Sequence, residues 1–489
     1  MNYRMIAFLI GKILLLLAVF LLLPCAVALF YGEGDFLSLL YAAGLSALLG
    51  GVLQFLRPKA HKRSMRTADG FVMVSLSWIV ISLVGALPFV LHGSISSYLD
   101  AVFETVSGFT TTGSSILSAP EALPHGLLFW RSFTHWIGGM GVLVFMLAVV
   151  PMSGDSIYLL RAESPGPSVS KMVPKMRTSS LILYGIYLGL TVLQLLLFAL
   201  GKVCGWGNMS FFDSVCITMG TAGTGGFALN SSGLSNYSAY EQVLTTVFMI
   251  LFGVNFSVYF FLICRKYRLI WENSEVKTYF AVIFCAITLI TANLISNGIF
   301  DSFGTTLRHA SFSVGSLVTS TGYGTADFSQ WPEFSRVILL IIMVMGACAG
   351  STGGGIKVSR LLILGKTLRA ELHKLLHPHA VVRATMDGKP LSSEAVRGTQ
   401  AYLVAFVTLF LASTFLLSRE GLGLETTLSA TLTTLNNMGP GTSAVIGPFG
   451  GFGGFSALSK VVMIFNMLLG RLEIFPVLLL LRPSTWRKH

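Results

Sequence analysis

The sequence predicts an all-α polytopic membrane protein in which four pseudo-repeats surround one central pore. Each repeat has a helix, a short pore helix, a filter loop and a second helix, and two extra transmembrane helices precede the first repeat. Of 489 residues, 53% are hydrophobic and 11% are charged, whereas about a quarter of a soluble domain is charged. Apolar stretches of roughly 20 residues, long enough to cross a bilayer, recur along the chain, as do similar glycine-containing peptides.

The apolar stretches predict ten membrane spans with both termini in the cytoplasm. The spans cover residues 5–30, 35–56, 71–92, 127–152, 179–200, 240–264, 277–296, 334–366, 399–418 and 456–481. Lys and Arg cluster in alternate connectors, at 57–66, 171–177 and 265–268, and are absent from 93–126. Because cytoplasmic connectors are enriched in Lys and Arg, this pattern sets the orientation. It also accounts for the net charge of +12 without nucleic-acid binding.

The first span has a signal peptide as its alternative interpretation, since Arg4 precedes an apolar run. Its apolar core exceeds the roughly 7 to 15 residues of a signal peptide. Pro24 rather than a small residue precedes Cys25. We therefore expect a retained helix.

Four outside connectors each contain a short amphipathic stretch followed by a Gly/Thr-rich peptide. The peptides are TTTGSS (110–115), GTGGF (223–227), STGYGT (320–325) and NNMGPG (436–441). Alignment on Thr-Gly, or Met-Gly in the last peptide, makes Gly113, Gly225, Gly322 and Gly439 equivalent. In the entry segments LDAV and FDSV, Asp100 and Asp213 are expected to cap the short helices.

This spacing divides the chain into a leading segment and four repeats of about 110 residues each. The predicted units are 1–69 with two helices and a basic connector, and the repeats 70–178, 179–276, 277–393 and 394–489.

The four peptides together are suited to a selectivity filter. A ring of backbone carbonyls can replace the water around an alkali cation, and glycine permits the necessary conformations without blocking the axis. For each peptide alone, an outside turn is the alternative, but four at a regular interval favour a pore. The short helices would direct their partly negative C-terminal ends inward, which favours a cation. The predicted filter residues are Thr111, Thr112, Gly113, Thr224, Gly225, Thr321, Gly322, Tyr323, Asn437, Met438 and Gly439.

The peptide GACAGSTGGGIK, residues 346–357, interrupts the span 334–366. The ten residues before it extend about 15 Å, roughly half the hydrocarbon thickness. A simple kink needs one or two residues, so the longer run predicts an intramembrane gating loop at 346–355. A phosphate cradle is disfavoured because Ile356, not Lys, follows the last glycine. The predicted gate residues are Gly346, Gly350, Ser351, Thr352, Gly353, Gly354 and Gly355, together with Arg471.

Arg471 lies within the last apolar span, eleven residues before Arg482. A charge at this depth usually faces a cavity or a partner, and a guanidinium can bind the unpaired carbonyls of a glycine loop. We expect Arg471 to hold the 346–355 loop across the pore and to add an electrostatic barrier. The alternative is an ion pair with Glu473 or with another helix.

Other polar residues in the spans have simpler interpretations. Asn255 and Asn466 are expected to form hydrogen bonds between helices. Arg131 and His135 are expected near the outer interface, and Glu104 adds negative potential at the entrance.

The sequence offers no catalytic residues. The six cysteines are scattered without the spacing of a metal site, and no His, Asp or Glu residues form a catalytic pair. A membrane-embedded enzyme is therefore disfavoured. A secondary transporter of another small solute, with a midplane site at broken helices, stays open as an alternative.

The four peptides, WRSFTHWIGGMG at 130–141 and GACAGSTGGGIK resemble the Trk/Ktr/HKT superfamily of potassium transporters. The resemblance is closest to the membrane, potassium-translocating subunits of bacterial Trk systems and covers essentially the whole chain. It implies potassium uptake across the bacterial inner membrane. Rubidium should pass, and sodium is possible. It places potassium at Thr112, Gly113, Thr224, Gly225, Thr321, Gly322, Met438 and Gly439.

The resemblance also has limits and further implications. The complete GYG string occurs once and Met438 replaces threonine, so looser selectivity than in a symmetric potassium channel is expected. The family implies a homodimer and a cytoplasmic regulatory subunit that binds nucleotides, with no cofactor in this chain beyond the transported potassium. Proton symport and passive flux both stay open.

Overall fold

The computed structural model describes residues 1–56, 67–141, 176–380 and 383–486. Within these ranges, strand occurs only as an antiparallel pair, Thr385–Met386 with Lys389–Pro390. The helices are α1 (Tyr3–Tyr31), α2 (Phe36–Gln54), α3 (Thr67–Gly85), α4 (Leu87–His92), α5 (Tyr98–Phe109), α6 (His125–Gly139), α7 (Met176–Val203), α8 (Phe211–Gly223), α9 (Ala239–Phe252), α10 (Phe256–Ile263), α11 (Tyr267–Trp271), α12 (Ser274–Ser296), α13 (Phe303–Val318), α14 (Glu333–Met345), α15 (Val358–Leu376), α16 (Ser393–Leu417), α17 (Leu424–Asn436), α18 (Ala457–Arg471) and α19 (Phe475–Leu481). Short 3-10 helices lie at Pro120–Ala122, Phe328–Gln330, Ser418–Glu420 and Pro483–Trp486.

In the described part of the chain, six helical segments are long and apolar enough to cross a membrane. They are Tyr3–Tyr31, Phe36–Gln54, Ala68–His92, Ser180–Val203, Ser274–Ser296 and Ser393–Glu420. Helices α9 and α10 form a further apolar pair with a 90° bend. The second half of the predicted span 127–152 and the basic residues at 57–66 and 171–175 lie outside the described residues.

The four pore helices are α5, α8, α13 and α17, and serine begins three of them. The hydroxyl groups of Ser97 and Ser210 accept hydrogen bonds from the backbone amides of Asp100 and Asp213. Ser302 caps α13 in the same way. The prediction that Asp100 and Asp213 are the caps is therefore wrong. The cap precedes the helix and reaches the amide three residues on, and the aspartates lie in the first turn.

Packing of the pore helices closes a ring. Each contacts the incoming and outgoing helices of its own repeat and the outgoing helix of the preceding repeat. Thus α8 packs on α6, α13 on α9, α17 on α14, and α5 on α18, which joins the last repeat to the first. Helices α1 and α2 pack together outside this ring, against α3, α4 and α6. The predicted architecture of four units around one axis plus a leading helix pair is confirmed.

The outgoing helix of every repeat ends before it could cross the bilayer. Helices α6, α9, α14 and α18 have 15, 14, 13 and 15 residues, which is about 20 to 23 Å against roughly 30 Å of hydrocarbon. A break was predicted only after α14; the predicted spans 240–264 and 456–481 are also interrupted, at 253–255 and at 472–474. Gly253 lies in the first of these breaks, and Pro476 in the first turn of α19 favours a new helix start.

Candidate pore and gate

The four pore helices end in the same turn. The residue that enters it has a left-handed backbone, at Thr111 (φ 56°), Thr224 (φ 53°), Ser320 (φ 60°) and Asn437 (φ 52°). The following amide donates to the carbonyl five residues earlier: Thr112 to Ser107 at 2.8 Å, Gly225 to Gly220 at 2.9 Å, Thr321 to Ser316 at 2.8 Å and Met438 to Thr433 at 2.9 Å. The four turns are therefore structurally equivalent.

The equivalence of the turns moves the alignment of the second peptide by one residue from the alignment predicted on Thr-Gly. The glycine two positions after the left-handed residue is Gly113, Gly226, Gly322 or Gly439. Gly225 matches Thr112 instead, so the predicted alignment of Gly225 with the other glycines is wrong. The GTGGF peptide offers two successive glycines, and alignment on Thr-Gly selects the first. Gly226 has a φ of 74°, comparable to the 82° of Gly113.

The four glycine positions meet around one axis. A methyl group would overlap the backbone of a neighbouring peptide at Gly113 and Gly226, and would lie 3.1 Å from such backbone at Gly322 and Gly439. The contacts pair Gly113 with Gly225, Gly226 with Thr321, Gly322 with Gly439, and Gly439 with Gly113. Only glycine leaves this approach open, and the peptides form a closed ring of backbone.

A vestibule of about 290 Å³ lies against the ring and touches all four of these glycines. It is also lined by Ser114, Asn230, Pro440 and Phe449. Gly226 lines it and Gly225 does not, in agreement with the shifted register.

Side chains next to the ring turn away from its axis. The hydroxyl groups of Thr110 and Thr112 lie 2.7 Å apart, as do those of Thr319 and Thr321. The Tyr323 ring is 1% exposed, and its hydroxyl donates to the carbonyl oxygen of Ile217 at 3.3 Å.

The fourth peptide is held similarly. Asn437 Nδ2 donates to Thr112 Oγ1 at 3.0 Å and to the Met467 carbonyl oxygen at 2.8 Å, and Met438 is fully buried. The predicted filter residues thus meet at one place and face the axis with backbone.

The predicted gating loop lies against the bases of two filter peptides. The Gly354 amide donates to Ser320 Oγ at 2.6 Å, and the Gly355 amide donates to the Asn436 carbonyl oxygen at 3.0 Å. A methyl group added at Gly353 would lie 2.8 Å from the Thr319 carbonyl oxygen. The structure therefore brings the glycines of the loop to the ends of the third and fourth pore helices, at the base of the ring.

The other side of the loop is held by the second repeat and by α12. The Ala349 amide donates to the Glu275 carboxylate at 2.6 Å. The Cys348 amide donates to the Gly253 carbonyl oxygen at 3.1 Å, and the amide of Phe256 donates to Gly350 at 3.0 Å. Gly346, Gly350 and Gly355 take positive φ values of 70°, 71° and 82°.

Arg471 contacts the loop and the end of α6. Its Nη1 donates to the Thr352 carbonyl oxygen at 3.2 Å and to Thr111 Oγ1 at 3.4 Å. Its Nη2 donates to the carbonyl oxygens of Gly139, at 2.8 Å, and Gly138. The alternative partner, Glu473, instead pairs with Arg360 of α15.

Three charged pairs inside the bundle escaped the sequence analysis. They are Glu104 with Arg131, Asp100 with Lys460, and Arg360 with Glu473. The signal for Lys460 and Arg360 was a charge inside a predicted span, which usually has a partner. Lys357 is another charge inside a predicted span that has a partner. It is 3% exposed, and its ammonium donates to the Gly353 carbonyl oxygen.

The two asparagines that were expected to link helices both do so. Asn466 bonds to Ser413 of α16 at 2.8 Å, so the interhelical bond is confirmed. Asn255 bonds to Glu275 of α12, so its interhelical bond is confirmed as well, and it also caps α10 by accepting from the Ser257 amide at 2.9 Å. Arg131 and His135 are 2% and 0% exposed, and Arg131 lines the vestibule beside the ring; their position near the outer interface stays a prediction.

Metal-binding clusters of three or more His, Cys, Asp or Glu side chains are absent from the described ranges. All six cysteines, which lie in those ranges, are free thiols.

Four equivalent turns inside a closed ring of membrane helices define a pore-loop membrane protein with its four repeats in one chain. The sequence profile of the TrkH family, described as cation transport protein, matches residues 41–488. The chain belongs to this family and is a transporter rather than an enzyme.

Full-length relatives support the same family. The chain is 32% identical to the Trk system potassium uptake protein TrkH of Salmonella typhimurium over all of both chains. It is 33% identical to TrkH of Vibrio parahaemolyticus, also over both full lengths, and 30% identical to TrkG of Escherichia coli over 99% of each. The crystal structure of the potassium transporter TrkH from Vibrio parahaemolyticus matches with a TM-score of 0.88 at 31% identity and full coverage of both chains.

Proposed function

We propose that this chain takes up potassium across the bacterial inner membrane through the ring of four filter peptides. The observation that carries the proposal is the ring itself, in which four equivalent turns meet with glycine at each point of contact. Relatives along the whole length are named as potassium uptake proteins, which supports potassium as the cation.

Backbone carbonyls are the proposed ligands of the ion. Carbonyl oxygens can replace the hydration shell of an alkali cation, and the C-terminal ends of four pore helices add negative potential at the same place. The proposed potassium-binding set is Thr111, Thr112, Gly113, Thr224, Gly225, Gly226, Thr321, Gly322, Tyr323, Asn437, Met438 and Gly439. Gly226 joins the residues predicted from the sequence because of the shifted register. Rubidium should pass, and sodium should pass less well.

The loop 346–355 and Arg471 are the proposed gate. The loop contacts the bases of the third and fourth filter peptides, and Arg471 contacts both the loop and Thr111 of the first. In this position the loop obstructs the path on the inner side of the ring. The positive charge of Arg471 opposes a cation there, since repulsion is stronger away from bulk water.

The organisation around the pore is part of the proposal. The repeats are 70–178, 179–276, 277–393 and 394–489 after the leading segment 1–69. Both termini lie in the cytoplasm, supported by the distribution of Lys and Arg. The proposed assembly is a homodimer that works with a cytoplasmic, nucleotide-binding regulatory subunit. The relatives are named as proteins of a Trk system, which supports a system of more than one component.

The test is rubidium uptake by the purified protein in liposomes, in competition with potassium, sodium or lithium. We expect potassium to compete most strongly, then sodium, then lithium. A comparison with and without a pH gradient separates proton symport from passive flux. Equal competition by every alkali cation would overturn the proposal and would favour another small solute as substrate.

A further inference from the structure

Helix α6 carries two side chains that reach from the first pore helix to the second filter peptide. The first is Arg131, whose Nε donates to Glu104 at 2.7 Å and whose Nη1 donates to the Ala228 carbonyl oxygen at 2.6 Å. Its guanidinium also lies 3.7 Å from the centroid of the Phe227 ring. Arg131 therefore ties the residues just after the second filter turn to α5.

The second side chain is His135, one helical turn further along α6. Its Nδ1 lies 2.8 Å from the Gly108 carbonyl oxygen, and its Nε2 lies 3.2 Å from the Phe227 amide nitrogen. A carbonyl can only accept and an amide N–H can only donate, so these partners assign a neutral imidazole with its proton on Nδ1. Both ring nitrogens are thereby used in linking the first pore helix to the second peptide.

The second peptide needs this support because it has none of its own at the matching position. In the first and third peptides, threonine hydroxyls pair at 2.7 Å across the turn. The second peptide has Gly223 and Gly225 in place of the two threonines, and Gly226 follows; glycine has the largest conformational freedom.

The space that a threonine side chain would fill is taken by the histidine. A methyl group added at Gly225 would overlap the ring of His135. The imidazole thus packs where the other repeats place their own side chain, and the second peptide takes its shape from α6.

We propose that His135 and Arg131 are positioning residues for ion selectivity, which hold the carbonyls of the second filter peptide at the distance that distinguishes potassium from sodium. This inference rests on the proposed potassium function. Because both residues act through Phe227 and Ala228 rather than touching the ion, a loss of selectivity with continued flux is the expected signature.

The experiment compares His135→Asn with His135→Gln by rubidium uptake in liposomes with potassium or sodium as competitor. The asparagine amide can reach only the position of Nδ1, so it keeps the bond to Gly108 and leaves the Phe227 amide unpaired. The glutamine amide reaches the position of Nε2 and keeps the bond to Phe227. We expect the preference for potassium over sodium to fall about tenfold in the asparagine variant, as expected for one buried hydrogen bond left unmade, and to be retained in the glutamine variant.

A histidine that served only to hold α6 against α5 would give the opposite order, and that result would overturn the inference. His125→Gln is the matched control, since His125 lies at the first residue of the same helix, half-buried and paired with Glu33; the selectivity of this variant should equal that of the wild type.

Arg131→Lys provides a second test if His135→Asn does not fold. A lysine ammonium can keep the pair with Glu104 but lacks the planar fork that also reaches Ala228, so the same loss of selectivity is expected. Full selectivity in Arg131→Lys would then overturn the inference. Failure of the wild-type protein to prefer potassium would instead contradict the proposed function.

Discussion

The outgoing helices of the third and fourth repeats end at equivalent points but continue in different ways. After α14, twelve residues (346–357) separate it from α15; after α18, three residues (472–474) separate it from α19. The long break contains glycines with positive φ, whereas the short break uses Glu473 and Ile474, with φ values of 56° and 68°.

The two breaks are held differently. The long loop is bonded to residues of other elements, including Ser320, Asn436 and Glu275. In the short break, Ile474 is fully buried and Glu473 pairs with Arg360 of α15. Thus equivalent positions hold a short connector in one repeat and, in another, the loop that we propose as the gate. Changes at the short break should affect stability, and changes at the long break should affect flux.

The largest expected effect is on stability, from Arg360→Gln. This change leaves the Glu473 carboxylate, 21% exposed, without its charged partner. Breaking a buried pair costs about 3 to 5 kcal/mol, and the partial exposure of Glu473 reduces this to about 2 kcal/mol. Thermal unfolding of the purified protein measures this loss in the free energy of unfolding.

The control for this prediction is Arg268→Gln, whose pair with Glu272 is 89% and 52% exposed; it should leave the unfolding temperature unchanged. The double variant Arg360→Glu, Glu473→Arg should recover part of the loss. Equal unfolding temperatures for Arg360→Gln and Arg268→Gln would show that the short break is not stabilised by this pair.

The next effect is on flux, from Arg471→Ala. The variant loses the bonds to Thr352 and Thr111 and removes a positive charge from the proposed cation path. We expect rubidium uptake into liposomes to rise roughly tenfold, which corresponds to about 1.4 kcal/mol. The exposed Arg419→Ala is the control and should not change uptake. Unchanged or lower uptake by folded Arg471→Ala protein would count against the proposed gate.

The smallest effect comes from a single methyl group in the loop. In Gly354→Ala the new methyl group would overlap the Asn436 carbonyl oxygen and lie 3.2 Å from Ser320 Oγ. Such overpacking costs about 1 kcal/mol or more. It should displace the loop from the filter base and raise rubidium uptake several-fold. Gly365→Ala is the matched control, because its methyl group would meet open space on α15. Equal uptake by the two variants would show that the loop does not restrict flux.

Local patterns allowed much of the pathway to be predicted. The length of an apolar run and the composition of a peptide are local properties that do not depend on tertiary contacts. The break after α14 and the four glycine peptides could therefore be located from the sequence. The contact of Arg471 with the 346–355 loop was predicted from the cost of a charge at membrane depth.

Register and helix breaks depend on neighbours distant in the chain, and there the predictions failed. Alignment on Thr-Gly could not separate Gly225 from Gly226, because the difference is the left-handed turn at Thr224. The break at 472–474 has no glycine, and its Glu473 pairs with Arg360, 113 residues away.

The amino-acid sequence by itself determined a membrane protein of four repeats with glycine at each filter peptide, because hydrophobicity and backbone freedom belong to single residues. Only the tertiary structure decided which glycines meet and what supports them. Gly108, His135 and Phe227 come together across three separate segments, and their hydrogen bonds exist only once the ring of helices has closed.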